Sequence, residues 1–234
     1  MSLSGAKALV TGGSAGIGKA IARALIQRGA RVAITARGEE RLRKTAQEIG
    51  AHAIVADAAD EADCVRSVRE AVEALGGLDI LVNNAGYGYH ALVENLDAES
   101  FSKVWAANVL GPAILTREAA KIFRQQKRGD LVNIASTSGT KGYAGGTPYC
   151  ATKFALRGMT ECWQAELRPA NVRVICVCPS EVQTEFGGRH RETLDPKKLI
   201  SEDIAVGVIA ALEMDRRGFI PEFKVFATNP WPEK

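Results

Sequence analysis

The sequence predicts a doubly wound parallel α/β sheet in three layers, with helices covering both faces. Short apolar runs alternate with longer segments of helical periodicity along the whole chain, and strands joined by helices run parallel. The runs read as strands buried on both faces, which places helices above and below the sheet. The first run ends in a glycine-rich turn that opens directly into a helical pattern, Ala6-Lys7-Ala8-Leu9-Val10-Thr11-Gly12-Gly13-Ser14-Ala15-Gly16-Ile17-Gly18-Lys19-Ala20.

Taken in order, the first strand is Ala6–Thr11, and its helix spans Ala15 to Arg28 and stops at Gly29. The second strand is Arg31–Thr35. A charged helix follows over Glu39–Ile49 and ends at Gly50. The third strand is His52–Val55. Asp60 caps a helix to Leu75, closed by Gly76-Gly77. The fourth strand is Leu78–Val82. Asp97 then caps one long helix reaching Gln125. The fifth strand, Asp130–Ala135, leads through small residues to a helix over Thr147–Leu167, ended by Pro169. The sixth strand is Val172–Val177. An irregular stretch fills 179–200, Ser201 caps a last helix to Met214, and Phe223–Ala227 forms the final strand. No linker, repeat or low-complexity segment interrupts this pattern, so 1–234 reads as one domain.

With 46% hydrophobic and 24% charged residues, the composition is that of an ordinary globular protein. A net charge of +3 is too small for a nucleic-acid binder. No apolar run approaches the ~20 residues that span a bilayer. Met1-Ser2-Leu3-Ser4-Gly5 lacks a signal pattern, so the expected compartment is the cytoplasm, with no membrane partner. Cys64, Cys150, Cys162, Cys176 and Cys178 show no paired zinc spacing and read as free thiols, leaving no metal site expected. Cys176 and Cys178 alternate on one strand and share a face.

Three phosphate-handling or catalytic motifs overlap in the glycine-rich turn. A P-loop needs a hydroxyl after its lysine for magnesium, and Ala20 follows Lys19. Gly12-Gly13-Ser14-Ala15-Gly16 fits a nucleophile elbow, but the only late histidine, His190, sits among arginines. The third reading is a dinucleotide loop with glycines at 12, 16 and 18. There Gly12, Ser14, Ala15, Gly16, Ile17 and Gly18 would cradle a pyrophosphate at a helix N-terminus.

In such sheets ligands bind beyond the carboxyl ends of the strands. After strand two stands Ala36-Arg37, where an NAD-selecting fold places an acid. A guanidinium suits a 2′-phosphate instead, so NADP (NADPH) is expected over NAD. Asp57, after strand three, is a candidate for the adenine amine or a simple turn residue. Asn83-Asn84-Ala85-Gly86 is a tight-turn sequence, with Asn84, Ala85 and Gly86 a floor under the adenosine ribose. Tyr149 and Lys153 lie one helical turn apart on one face, where an ammonium would favour phenolate and lower the tyrosine pKa. Ser136, just past strand five, offers a hydroxyl to a substrate carbonyl.

Thr11-Gly12-x-x-x-Gly16-x-Gly18, Asn83-Asn84-Ala85-Gly86, Asn108, Ser136 and Tyr149-x-x-x-Lys153 agree in order and spacing. Together they resemble the short-chain dehydrogenase/reductase family, of the single-domain, NADP-preferring type with a Rossmann fold. The pattern is similar to 3-oxoacyl-acyl-carrier-protein reductases. The resemblance implies that Tyr149 protonates a carbonyl oxygen, or acts as base in reverse. It implies that Lys153 holds the nicotinamide ribose, Ser136 polarises the carbonyl, and Asn108 holds a relay water. Pro179, Val182 and Thr184 match the positions around the nicotinamide carboxamide, but Ser180 stands where the family has glycine. The ending from Phe219 to Lys234 also departs from the family's glycine-rich form.

The expected substrate is a small carbonyl or alcohol compound, with a 3-oxoacyl thioester the best single choice. The alternatives are a general carbonyl reductase or hydroxy-compound dehydrogenase, and a non-catalytic redox sensor. Arg189, His190, Arg191, Lys197 and Lys198 form either a basic lip for an acyl carrier protein or a solvated loop. Tyr87, Tyr89, Tyr143 and Phe186 are candidates for an apolar pocket. The resemblance also implies a homodimer or homotetramer.

Overall fold

A computed structural model describes residues 2–186 and 193–229. Seven parallel strands form one sheet in the order β3-β2-β1-β4-β5-β6-β7. They are β1 Lys7–Thr11, β2 Arg31–Ala36, β3 His52–Val55, β4 Ile80–Asn83, β5 Gly129–Ile134, β6 Val172–Pro179 and β7 Glu222–Val225. The order reverses between β1 and β4, which opens a crevice beyond their carboxyl ends. The helices are α1 Gly16–Gln27, α2 Glu39–Ile49, α3 Glu61–Leu75, α4 Ala98–Trp105, α5 Gly111–Gln126, α6 Thr147–Leu167 and α7 Ser201–Glu213.

Alternation along the strands assigns the two faces. Ala8 and Val10 of β1 pack with Ile21 and Leu25 of α1, Leu42 of α2, and Ile204 and Val208 of α7. Leu9 points the other way, into Val68 of α3, Leu115 and Phe123 of α5, and Leu167 of α6. The three-layer expectation therefore holds, since successive side chains of each strand feed opposite cores.

Local signals explain four of the helix ends. The Asp60 carboxylate accepts from Asp63 N at 2.8 Å, and that of Asp97 from Ser100 N at 2.7 Å. Gly50 and Gly76 close α2 and α3 in the left-handed region, at φ 78° and 75°.

Three expectations need correction. The long helix from Asp97 is broken by a π-helical turn over Ala106–Leu110, which separates α4 from α5. Ser201 does not cap α7. It is the first helical residue, and Asp203 Oδ2 reaches back to accept from Ile200 N at 2.9 Å. Strand β6 continues through Pro179, because β7 runs alongside it with Pro179 opposite Val225. An edge partner asks nothing of the missing proline N–H at a strand end. No helix among the described residues is long and apolar enough to cross a membrane.

Candidate active site

The glycine loop is pinned to the turn after β4. Thr11 Oγ1 accepts from Asn84 N and Ala85 N, both at 3.0 Å, and donates to Val82 O at 3.2 Å. Asn84 Nδ2 donates to Thr11 O at 2.9 Å and to Gly12 O at 3.3 Å. The Asn84 amide thus holds the loop itself. Gly12 has φ +65°, and a Cβ there would stand 2.9 Å from Ala85 Cα. A Cβ at Gly18 would stand 2.4 Å from Gly12 O, so only glycine lets α1 start this close to the loop. Ala15 is the N-cap of α1 and no side chain caps the helix, which leaves its first-turn N–H groups open to an anion. Ile17 packs against the core beneath them.

Beside this cradle is a cavity of about 860 Å³, lined by Gly12, Ser14, Arg37, Asp57, Ala85, Gly86 and Tyr87 among others. The Arg37 side chain is 69% exposed, and its Nη1 lies 4.0 Å from Asp57 Oδ2, a loose contact. Arg41, unmarked in the sequence reading, lines the same cavity from the first turn of α2. Its Nη1 meets Glu185 Oε2 at 2.6 Å. Crowded glycines, an uncapped helix start and two guanidinium groups around one cavity fit a dinucleotide.

Three of the four expected catalytic side chains meet at the carboxyl end of β5. Lys153 Nζ, buried, donates to Ile134 O at 2.9 Å and lies 5.7 Å from the Tyr149 ring centroid. Burial pushes Lys153 down to about 8. Tyr149 is pushed up to about 12 by burial, partly offset by a hydrogen bond with Ser136. This differs from the sequence expectation for the free site, where desolvation of the phenolate outweighs the Ser136 hydrogen bond. Ser136 Oγ also accepts from Ser138 N at 3.1 Å, which fixes the hydroxyl just past the strand.

Asn108 lies in the π turn and is buried. Its Oδ1 accepts from Tyr87 N at 3.1 Å, and its Nδ2 donates to Tyr87 O at 2.9 Å and Thr152 Oγ1 at 3.1 Å. An asparagine is a poor helix former, but here its amide satisfies both backbone groups of a loop residue. A Cβ on Gly86 would lie 2.7 Å from Asn108 Oδ1. Asn108 is therefore seen tying α6 to the loop after β4.

Beyond β6, Ser180 N donates to Val225 O at 2.9 Å. The described non-glycine residues with positive φ are Lys127 and Asn171, so Ser180 takes an ordinary conformation in place of the family's glycine. Val182 bridges to Leu199. Thr184 approaches the glycine loop, its Cγ2 3.4 Å from where a Gly16 Cβ would stand. His90 and Phe186 flank Tyr149, with ring centroids 5.5 and 5.7 Å away. His90 Nε2 and Tyr143 OH are 3.0 Å apart. Tyr89 is used differently, its hydroxyl accepting from Asp97 N at 3.0 Å. Of the basic stretch, Lys198 pairs with Glu181 at 3.8 Å, while Arg189, His190 and Arg191 lie outside the described residues.

A family profile described as short chain dehydrogenase matches residues 6–195. A 3-ketodihydrosphingosine reductase from Bos taurus is 33% identical over 217 residues, covering 88% of this chain and 65% of the relative. The chain thus spans about two thirds of that relative's length. A metagenomic short-chain oxidoreductase solved with NADP is 33% identical with a TM-score of 0.86, covering 98% of this chain and 100% of its own. A 3-ketoacyl-(acyl-carrier-protein) reductase from Brucella melitensis, solved with NADH, is 29% identical with a TM-score of 0.89, covering 97% and 99%.

Proposed function

The chain belongs to the short-chain dehydrogenase family, NAD(P)-dependent oxidoreductases that act on CH–OH groups, and from that premise we propose that it uses NADPH to reduce a ketone to a secondary alcohol, reversibly, as a single catalytic unit. The observation that carries this reading is the convergence of Ser136, Tyr149 and Lys153 at the carboxyl end of β5, on the same edge of the parallel sheet as the glycine loop after β1. When bound, the nicotinamide supplies the hydride chemistry. Gly12, Ser14, Ala15, Gly16, Ile17 and Gly18 would hold its pyrophosphate. Asp57, Asn84, Ala85 and Gly86 would surround the adenosine, and Pro179, Val182 and Thr184 the carboxamide end.

Tyr149 donates the phenolic proton to the carbonyl oxygen, and the Ser136 hydroxyl donates a second hydrogen bond to the same oxygen. The high pKa of Tyr149 keeps that proton in place at neutral pH, which suits the reductive direction. Lys153 would hold the nicotinamide ribose hydroxyls and, with Asn108, would complete the path by which the proton is replaced. Arg37, with Arg41 lining the same cavity, would take the 2′-phosphate and so favour NADPH over NADH.

A 3-oxoacyl thioester is the proposed substrate, delivered on coenzyme A or an acyl carrier protein, to a homodimer or homotetramer in the cytoplasm. The name of the Brucella melitensis relative, a 3-ketoacyl-(acyl-carrier-protein) reductase, supports it. The aromatic walls of His90 and Phe186 around Tyr149 favour a second reading, a compact apolar ketone. NADPH oxidation with acetoacetyl thioesters beside a panel of small ketones separates the two. Oxidation with neither would move the assignment to a dinucleotide-binding sensor. Tyr149→Phe should abolish turnover while NADPH still binds; turnover that survives the substitution refutes the tyrosine mechanism.

A further inference from the structure

Behind Ser136, on the face of β6 that packs against α6, lies a group of donors that the proposed reaction does not use. Cys176 and Cys178 are both buried, and their sulfurs are 3.8 Å apart. Strand β7 places Glu222 opposite Cys176, and one oxygen of that carboxylate completes a triangle whose atoms all lie within 4.8 Å of one another. We propose that Cys176, Cys178 and Glu222 bind one thiophilic d¹⁰ cation, Zn²⁺ or Cd²⁺.

Geometry favours a tetrahedral ion. Two thiolates each about 2.3 Å from a tetrahedral centre stand about 3.8 Å apart, the separation already present here without any movement. A disulfide is the competing fate of two close thiols, and the strand opposes it. Same-face residues of one strand have Cα atoms about 6.7 Å apart, at the upper limit of what a disulfide spans. Ladders to β5 and β7 hold that spacing from both sides.

Arg157 is the gate. Its Nε holds Glu222 Oε2 at 2.6 Å, and both side chains are a little over a quarter exposed. An ion enters by taking that carboxylate from the guanidinium. Binding is a plain exchange: M²⁺ plus two Cys–SH gives the bis-thiolate complex and two protons, with Glu222 as third ligand and water as fourth. No oxidant is required.

The test uses the cofactor-free full chain with the exposed Cys162 replaced, Cys162→Ser, and Cd²⁺ as the probe. One Cd²⁺ per chain should bind with sulfur-to-cadmium charge-transfer absorption and release of two protons. Cys176→Val and Cys178→Val should each remove the band, with circular dichroism confirming the fold. Glu222→Gln should weaken binding roughly 10-fold, and Arg157→Gln, which frees the carboxylate, should tighten it. Should the valine variants not fold, Arg157→Gln and Glu222→Gln decide, and equal affinities in both overturn the site. So does a band that survives Cys176→Val or Cys178→Val, or the absence of Cd²⁺ binding to Cys162→Ser. None of these readouts depends on turnover, so the site stands or falls apart from the reductase assignment.

Discussion

Burial sets the protonation of Lys153 and Tyr149, and each consequence has a sign. Lys153 titrates near 8 in the fold and at the ordinary value of 10.5 when unfolded. Between those values the unfolded chain binds one more proton, so this group makes stability rise with pH, by up to about 1.4 kcal/mol per unit. Below pH 8 the buried ammonium costs the fold its full share. Lys153→Met removes that cost, so the cofactor-free variant should be the more stable at pH 7, and the gap should narrow as pH rises toward 10. Urea denaturation of both proteins across that range measures it; a gap that stays constant would show that Lys153 is not desolvated. Tyr149, pushed up to about 12, should make alcohol oxidation climb with pH from 7 to 9, because that direction needs phenolate. Ketone reduction needs the phenol and should not climb. Initial rates in both directions over the same buffers check this. At Arg37, Arg37→Asp should weaken NADPH far more than NADH, as read by fluorescence titration. Equal losses for the two cofactors would sink the 2′-phosphate assignment.

At the scale of elements, the junctions matter more than the elements they join. The start of α1 lies against the glycine loop with no room for a methyl group at Gly18, where a Cβ would sit 2.4 Å from Gly12 O. Gly18→Ala must push the helix start off the loop. Overpacking of this kind costs about 1–3 kcal/mol, and NADPH affinity should fall by roughly tenfold or more. Isothermal titration reads the change directly. The strands and most helices were legible in the sequence because their signals are local: apolar runs, acids at Asp60 and Asp97, glycines at 50 and 76. The π turn was not, since one extra residue per turn leaves the apolar pattern of α4 and α5 nearly intact. Asn108 itself was the visible trace, a polar residue where a helix interior should be apolar. The cap of α7 was misread because Ser201 and Asp203 offer rival partners two residues apart, and backbone geometry selected the acid. Tyr149, Lys153 and Ser136 were legible as a spacing, but their burial was not, and burial reverses the tyrosine shift. The Glu222 carboxylate had no local signal at all. Only the register of β6 on β7 brings it to the two cysteines.

Across the whole molecule, the end of the sheet opposite the catalytic side chains is held by charge. Asp130, buried near the start of β5, accepts from Arg173 Nε on β6 at 2.6 Å and from Arg216 Nη2 beyond α7 at 2.7 Å. Arg173 then donates to Met214 O at 2.9 Å and Leu212 O at 2.8 Å, so it satisfies carbonyls that the end of α7 leaves unpaired. One carboxylate thus links two strands and the C-terminus of a helix. The Arg173 side chain is only 6% exposed and that of Asp130 5%, so neither charge is relieved by water if the other is removed. Asp130→Asn should therefore cost about 3–5 kcal/mol, the penalty of stranding a buried guanidinium. Ser136 lies six residues further along the chain, about 20 Å away at strand rise, on the far side of the sheet's core. The loss should accordingly appear in the denaturation midpoint while the kcat of the folded fraction is preserved at low temperature. Chemical denaturation paired with steady-state kinetics distinguishes the outcomes. A fall in kcat with unchanged stability would mean that the charged end and the catalytic end are coupled through β5, and the separation argued from strand length would be wrong.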